Sequence, residues 1–88
     1  MKIIKIGAVW CPACLVMNKV WKKIQETYSH IDISSLDIDM DSEEVKKYNP
    51  GKILPEIIFL SDNDIELERL IGEQKIDTIS ELIRKYDK

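Results

Sequence analysis

The sequence predicts an α/β fold with the element order β-α-β-α-β-β-α, in which helices flank a four-stranded mixed sheet to give three layers. Two observations predict it. Apolar runs of strand length alternate with segments whose apolar residues recur at helical spacing. The last two strand-like runs are separated by the short polar segment 61–64, which is typical of a hairpin. A chain of 88 residues has room for one such domain, which we expect to span residues 1–88.

The first half of the chain predicts two strands joined by a helix. Residues Lys2 to Ala8 form a mostly apolar run, which is typical of a central parallel strand. A helix is predicted from about Pro12 to Tyr28, with its apolar residues along one stripe. Residues Ile31 to Asp39 alternate between apolar and polar and predict a second strand. A helix between two strands favours a parallel pair with a right-handed crossover.

The second half predicts a short helix, a hairpin and a last helix. Asp41-Ser42 offers an N-cap for the short helix, and Asn49-Pro50-Gly51 ends it. Glu56–Leu60 and the run from Ile65 to Ile71 are then expected to pair as antiparallel strands. The last helix should run from Ile76 or Asp77 to Tyr86, because its apolar residues recur at helical spacing.

Composition and charge exclude several classes of function. A net charge of −3 gives no reason to expect nucleic acid as a partner, since phosphates are neutralised by clustered lysine and arginine. No apolar run approaches the ~18 residues that a membrane-spanning helix needs, so we expect no membrane association. The N-terminus lacks the apolar stretch of a secretory signal, and we therefore expect a cytoplasmic protein. We also expect a monomer.

Both cysteines lie in the stretch Trp10-Cys11-Pro12-Ala13-Cys14, at the predicted junction between the first strand and the first long helix. The reactive form of cysteine is the thiolate, which a helix N-terminus stabilises. In a cytoplasmic protein, such a pair indicates a catalytic or sensing disulfide more than a structural one. We expect Cys11 to be an exposed nucleophile and Cys14, one turn into the helix, to be more buried.

A metal site is the alternative use of two cysteines at this spacing. Cys-x-x-Cys can bind Cu(I) or supply half of a zinc site. Zinc would need two further ligands, and the chain has a single histidine, His30, in a predicted loop. A Cu(I) carrier would be expected to have the order β-α-β-β-α-β, which differs from the predicted one. We therefore predict no metal.

Three features together make the chain resemble the thioredoxin-like family, in a minimal form of glutaredoxin size. The first is the Trp-Cys-Pro-Ala-Cys motif, whose tryptophan resembles thioredoxins more than glutaredoxins. The second is Ile53-Leu54-Pro55 before the third strand, where the family has a cis-proline facing the active-site sulfurs. The resemblance thus predicts a cis Leu54–Pro55 bond. The third is Gly72 after the hairpin, where the family has a glycine beside the substrate groove.

The resemblance implies a thiol–disulfide oxidoreductase. Cys11 would attack a disulfide of a protein or small molecule, and Cys14 would resolve the mixed disulfide. No cofactor is implied beyond the redox-active Cys11–Cys14 disulfide, which a thioredoxin-reductase-like flavoenzyme or glutathione would reduce. The implied substrate-binding residues are Trp10, Pro12, Ala13, Leu54, Pro55, Gly72 and Glu73.

The chain departs from the family pattern at Lys5, because thioredoxins carry a buried aspartate at that place. Two interpretations are open. The lysine could extend its ammonium to the end of the sheet and take no part. Alternatively, an ammonium partly removed from water behind the motif could favour the thiolate of Cys14 and lower its pKa.

Two other functions remain open at this stage. The cysteines could act as a redox sensor, or switch a protein-binding module without turnover; a stable partner complex in one redox state would distinguish that case. A glutaredoxin-type, glutathione-dependent reductase is the other alternative. It is weakened by Gly72-Glu73-Gln74, which lacks the Cys-x-Asp that glutaredoxins use for the γ-glutamyl end of glutathione.

Overall fold

The computed structural model describes residues 1–87 and has eight helices and strands along the chain. Their bounds are β1 Lys2–Gly7, α1 Pro12–Val16, α2 Asn18–Thr27, β2 Asp32–Asp37, α3 Ser42–Lys46, β3 Glu56–Leu60, β4 Glu66–Ile71 and α4 Ile76–Tyr86. The predicted order is therefore confirmed, with the first helix in two parts. Lys88, the last residue of the predicted domain, lies outside the described residues.

The four strands form one mixed sheet in the order β2-β1-β3-β4. β1 pairs with β2 in parallel, as the helical crossover between them predicts, and β3 pairs antiparallel with both β1 and β4. Ile6 lies opposite Glu56 in the register of β1 and β3. This register brings the motif that follows β1 close to the segment that precedes β3.

Each face of the sheet has its own apolar cluster, because side chains alternate along the central strands. One cluster joins the sheet to α2 and α4, and it includes Ile3, Met17, Trp21, Ile24, Ile57, Phe59, Ile79 and Ile83. The other joins the sheet to α3 and contains Ile4, Ile6, Val45, Ile58 and Leu60. Two helices thus cover one face and one short helix covers the other, which gives three layers.

Two local predictions need correction. The helix expected from Pro12 to Tyr28 is interrupted at Met17, where the backbone turns while its N–H still donates to the oxygen of Ala13. Asp41 stands at the N-cap of α3, but its side chain makes no capping hydrogen bond there. Its carboxylate accepts from the backbone N–H of Asp37 at 2.8 Å instead, so it fixes the end of β2. No helix within residues 1–87 has the length and apolar character needed to span a membrane.

Candidate functional site

The Cys-x-x-Cys motif lies where β1 ends and α1 begins. Cys11 is the N-cap of α1, and its Sγ accepts a hydrogen bond from the N–H of Cys14 at 3.2 Å. Pro12 follows in the first turn, where its missing N–H removes no helical hydrogen bond. The N–H of Cys11 donates to the oxygen of Ala8 at 3.1 Å and closes the turn. Both cysteines are free thiols held on one helical turn.

The relative burial of the two cysteines is the reverse of the prediction. Cys11 was expected to be exposed, but only 5% of its surface reaches solvent, whereas Cys14 is half-buried. The reason is the capping geometry: the sulfur of Cys11 turns back onto the first turn of α1. Cys14 instead lines an open cleft beside the motif.

The thiol of Cys14 is held in its protonated form by its surroundings. Burial, and after it the hydrogen bond between this thiol and the sulfur of Cys11, raise the pKa of Cys14 to about 11. The backbone of Ala8 opposes both effects. A Cβ atom at Gly7 would lie 3.0 Å from Sγ of Cys14, so the thiol packs directly against the glycine backbone.

The cleft beside Cys14 has a volume of about 290 Å³, and its lining includes Lys5, Cys14, Trp21 and Pro55. The ammonium of Lys5 lies over the ring of Trp21, 5.1 Å from its centroid, an arrangement that favours a cation. Burial lowers the pKa of Lys5. The structure gives no support to the interpretation that Lys5 lowers the pKa of Cys14, because that pKa is raised overall.

Trp10 lies on the surface directly before Cys11. Its side chain is 62% exposed, and its indole Nε1 donates to Oδ2 of Asp39 at 2.8 Å. The neighbouring Val9 is 75% exposed. Sequence reasoning missed Asp39, because nothing in the spacing of the acidic residues after β2 distinguishes the one that reaches the indole. The hydrogen bond orients the tryptophan and leaves its apolar surface open to a partner.

The segment before β3 supplies the second side of the site. The Leu54–Pro55 peptide bond is cis, as the resemblance predicts, and the oxygen of Pro55 accepts from the N–H of Gly72 at 2.8 Å. Gly72 has a φ of +87°, a conformation that favours glycine. Pro55 lines the cleft together with Cys14. The structure therefore brings Pro55 next to both Gly72 and the motif.

Leu54 is a residue that the resemblance assigns to the substrate groove. It is partly buried and packs against the apolar cluster that contains Ile6 and Ile58. The preceding residue, Ile53, lies in the bend before β3 and is 62% exposed. Ile53 lies beside Gly72, since its Cγ2 would be 3.8 Å from a Cβ there. Sequence reasoning did not single out Ile53 as a site residue, because no strand or helix pattern covers the bend in which it lies.

The remaining predicted site residues lie near the motif or the hairpin. Pro12 and Glu73 are exposed, and Ala13 is half-buried. His30, the single histidine, pairs with the carboxylate of Asp87 on the surface. In the part of the chain that the structure describes, no three or more histidine, cysteine or acidic side chains are grouped to hold a metal ion.

Comparison with known proteins agrees with the fold and the motif. Residues 1–85 match the family described as Thioredoxin. Thioredoxin H5 of Oryza sativa subsp. japonica is 29% identical over 70 residues, which cover 80% of this chain and 50% of that protein. The match therefore spans half the length of the rice relative. Putative thioredoxin-4 of Dictyostelium discoideum is 29% identical over 84 residues, covering 83% of this chain and 79% of that protein.

A solved structure extends the likeness to nearly the whole chain. The crystal structure of thioredoxin NaTrxh from Nicotiana alata is 25% identical, with a TM-score of 0.87, over 97% of this chain and 71% of that one. The family match covers β1 to all but the last residue of α4, including both cysteines and Pro55. The chain belongs to the thioredoxin family.

Proposed function

We propose that this protein is a thiol–disulfide oxidoreductase that reduces disulfides with the thiols of Cys11 and Cys14. The observation that carries the proposal is the placement of both thiols on one helical turn beside an open cleft, with the backbone N–H of Cys14 donating to Sγ of Cys11. This hydrogen bond holds the sulfur of Cys11 at the start of α1, within one turn of the second thiol. Membership of the thioredoxin family supports the same reaction class.

In the first step, the thiolate of Cys11 attacks one sulfur of the substrate disulfide. A bond forms between that sulfur and Sγ of Cys11, the substrate S–S bond breaks, and the second substrate sulfur leaves as a thiolate that takes a proton from water. Cys14 keeps its proton at this stage, because its pKa is raised to about 11. The two thiols therefore have separate roles in the proposed reaction.

In the second step, Cys14 loses its proton and attacks Sγ of Cys11. The Cys11–Cys14 disulfide forms, the mixed disulfide breaks, and the remaining substrate sulfur leaves as a thiolate. The substrate has gained two electrons and the protein has lost two. A thioredoxin-reductase-like flavoenzyme or glutathione, in a cytoplasmic setting, would return them. The reacting groups are the protein's own sulfurs, so the proposal needs no bound cofactor.

Protein disulfides are the substrate class that the surface favours. Trp10 and Ile53 are each 62% exposed, and they stand before Cys11 and Pro55 respectively. Exposed apolar side chains beside a reactive group are typical of a docking surface. The same observation favours one second candidate, a module that binds a partner in one redox state without turnover.

Turnover distinguishes the two candidates. The reduced protein should catalyse many cycles of reduction of an unrelated protein disulfide when dithiothreitol regenerates it, with the Cys11→Ser variant as the matched inactive control. A stoichiometric reaction that stops after one cycle, with a stable partner complex, would favour the binding module. A small glutathione mixed disulfide, tested in parallel, measures the glutaredoxin-type activity.

A further inference from the structure

Glu56 is a buried charged side chain that the proposed reaction does not use. It is the first residue of β3, directly after Pro55, and only 2% of its surface reaches solvent. A carboxylate at such a position is costly unless hydrogen bonds or an ion pair compensate it. The groups that contact this carboxylate therefore indicate its structural role.

Two groups compensate the carboxylate. The backbone N–H of Gly51 donates to both carboxylate oxygens of Glu56, at 3.3 and 3.4 Å. Nη1 of Arg69, on β4, lies 3.7 Å from Oε2 of Glu56. The side chain of Arg69 is itself held by Glu66, through hydrogen bonds of 2.7 and 3.1 Å.

Arg69 also reaches the loop between α3 and β3. Its Nη1 donates to the backbone oxygen of Asn49 at 3.5 Å, and Asn49 has a φ of +48°. Within residues 1–87, the segment 50–54 makes no hydrogen bond other than the one from Gly51 to Glu56. Glu56 and Arg69 thus provide the polar attachment of this loop, and we call the pair the carboxylate clamp.

The held loop leads directly into the site. It carries Ile53, which is exposed beside Gly72, and it ends at Pro55, which lines the cleft with Cys14. We propose that Glu56 and Arg69 are positioning residues that fix the 49–55 loop beside the motif and so set the affinity for protein disulfides. This inference rests on the proposed function. Neither residue touches the reacting sulfurs, so the clamp acts through the loop alone.

The clamp can be tested with Glu56→Gln, Arg69→Met and Arg69→Lys. Arg84→Met serves as the matched control, because Arg84 donates to the hydroxyl of Tyr28 on another side of the molecule. Two quantities are measured: hydrogen exchange of two backbone amides, and KM and kcat with a protein disulfide and with a small disulfide. The two amides are that of Gly51, which donates to Glu56, and that of Gly72, which donates to the oxygen of Pro55 at the end of the loop. Glu56→Gln keeps the size of the side chain and is the variant expected to fold most readily.

Glu56→Gln and Arg69→Met, which both remove the charge pair, should speed exchange at the Gly51 and Gly72 amides at least about tenfold and raise KM for the protein disulfide about fivefold. Arg69→Lys should recover part of both effects, kcat with the small disulfide should stay unchanged, and Arg84→Met should match the wild type. Unchanged loop exchange, or an equal loss with both substrates, would overturn the inference. A wild-type chain that reduced no disulfide would refute the proposed function, whereas the exchange data would still decide whether the clamp holds the loop.

Discussion

The two sides of the Cys-x-x-Cys turn differ in the exposure and the chemical character of their side chains. The rim, which we define as Trp10 and Ile53, consists of exposed apolar side chains next to Cys11 and Pro55. The wall of the cleft on the other side is packed and carries charge, and we define it as Lys5, Gly7, Cys14 and Trp21. We therefore expect the rim to contact the substrate, and the wall to set the protonation and the position of Cys14.

Removing each sulfur in turn should have the largest effect and tests the separate roles of Cys11 and Cys14. Cys11→Ser should lower disulfide reduction on the order of 10³-fold or more, because the nucleophile is lost. Cys14→Ser should instead accumulate covalent mixed disulfides on Cys11, because the second step is lost. Mass spectrometry of both variants after exposure to a protein disulfide checks the assignment. Normal turnover by Cys14→Ser, or no trapped adduct, would show that the roles are wrong.

The pH dependence of alkylation measures the pKa of Cys14, which belongs to the wall. The pKa of Cys14 is raised from 9.0 to about 11, so at pH 7 to 9 its thiolate is scarcer than that of an ordinary cysteine and its alkylation is slower, by up to about 100-fold. The rate should keep rising until about pH 11. Short pulses of iodoacetamide on the reduced protein, followed by peptide mapping, give the rate, with a disordered cysteine peptide as control. A plateau near pH 9 would contradict the protected thiol.

Gly7→Ala tests the packing of the wall. The new Cβ would lie 3.0 Å from Sγ of Cys14, so the thiol must move, and overpacking of this kind costs about 1–3 kcal/mol of unfolding free energy. We expect the second step to slow as well, because the attacking sulfur is displaced. Urea denaturation and single-turnover kinetics measure the two effects. Gly51→Ala is the control for stability, since its Cβ would meet Glu56 at an ordinary 3.9 Å; equal stability of the two variants would contradict the close contact.

Lys5→Met should have the smallest effect. Its ammonium lies over Trp21, and the pKa of Cys14 is raised despite the nearby charge, so we expect the second step to change by less than about threefold, an energy below 1 kcal/mol. Single-turnover kinetics across pH measures this step separately from the attack by Cys11. Lys2→Met is the control, because Lys2 pairs with Asp64 outside the cleft. A second step that slowed strongly and needed higher pH would restore the electrostatic role for Lys5.

The sequence predicted the elements of the fold better than the details of the wall. Strand and helix order followed from periodicity, and the motif and Pro55 could be recognised from their position along the chain. The reversed burial of Cys11 and Cys14 could not, because it depends on a sulfur that turns onto its own helix. The packing of Leu54 against the core could not be predicted for a different reason: it lies in a bend before β3, where no strand pattern indicates which way a side chain points.

Contacts between distant segments were also beyond sequence reasoning. Glu56 is the first residue of β3, and nothing in the sequence indicates its burial against Gly51 and Arg69. An alternating pattern predicts a face and not a partner. The partner depends on how the α3–β3 loop returns over the sheet.

The proposed function requires that Cys11 and Cys14 form one reversible disulfide. A redox titration with glutathione buffers, followed by acid quenching and mass spectrometry, tests it most directly. The account predicts that both thiols disappear together in one two-electron transition, with a slope of ~30 mV per tenfold change in the ratio of oxidised to reduced protein. Peptide mapping should locate the bond between Cys11 and Cys14. If glutathione instead accumulated on one cysteine while the other thiol stayed free at every ratio of oxidised to reduced glutathione, Cys11 and Cys14 would not form a reversible disulfide.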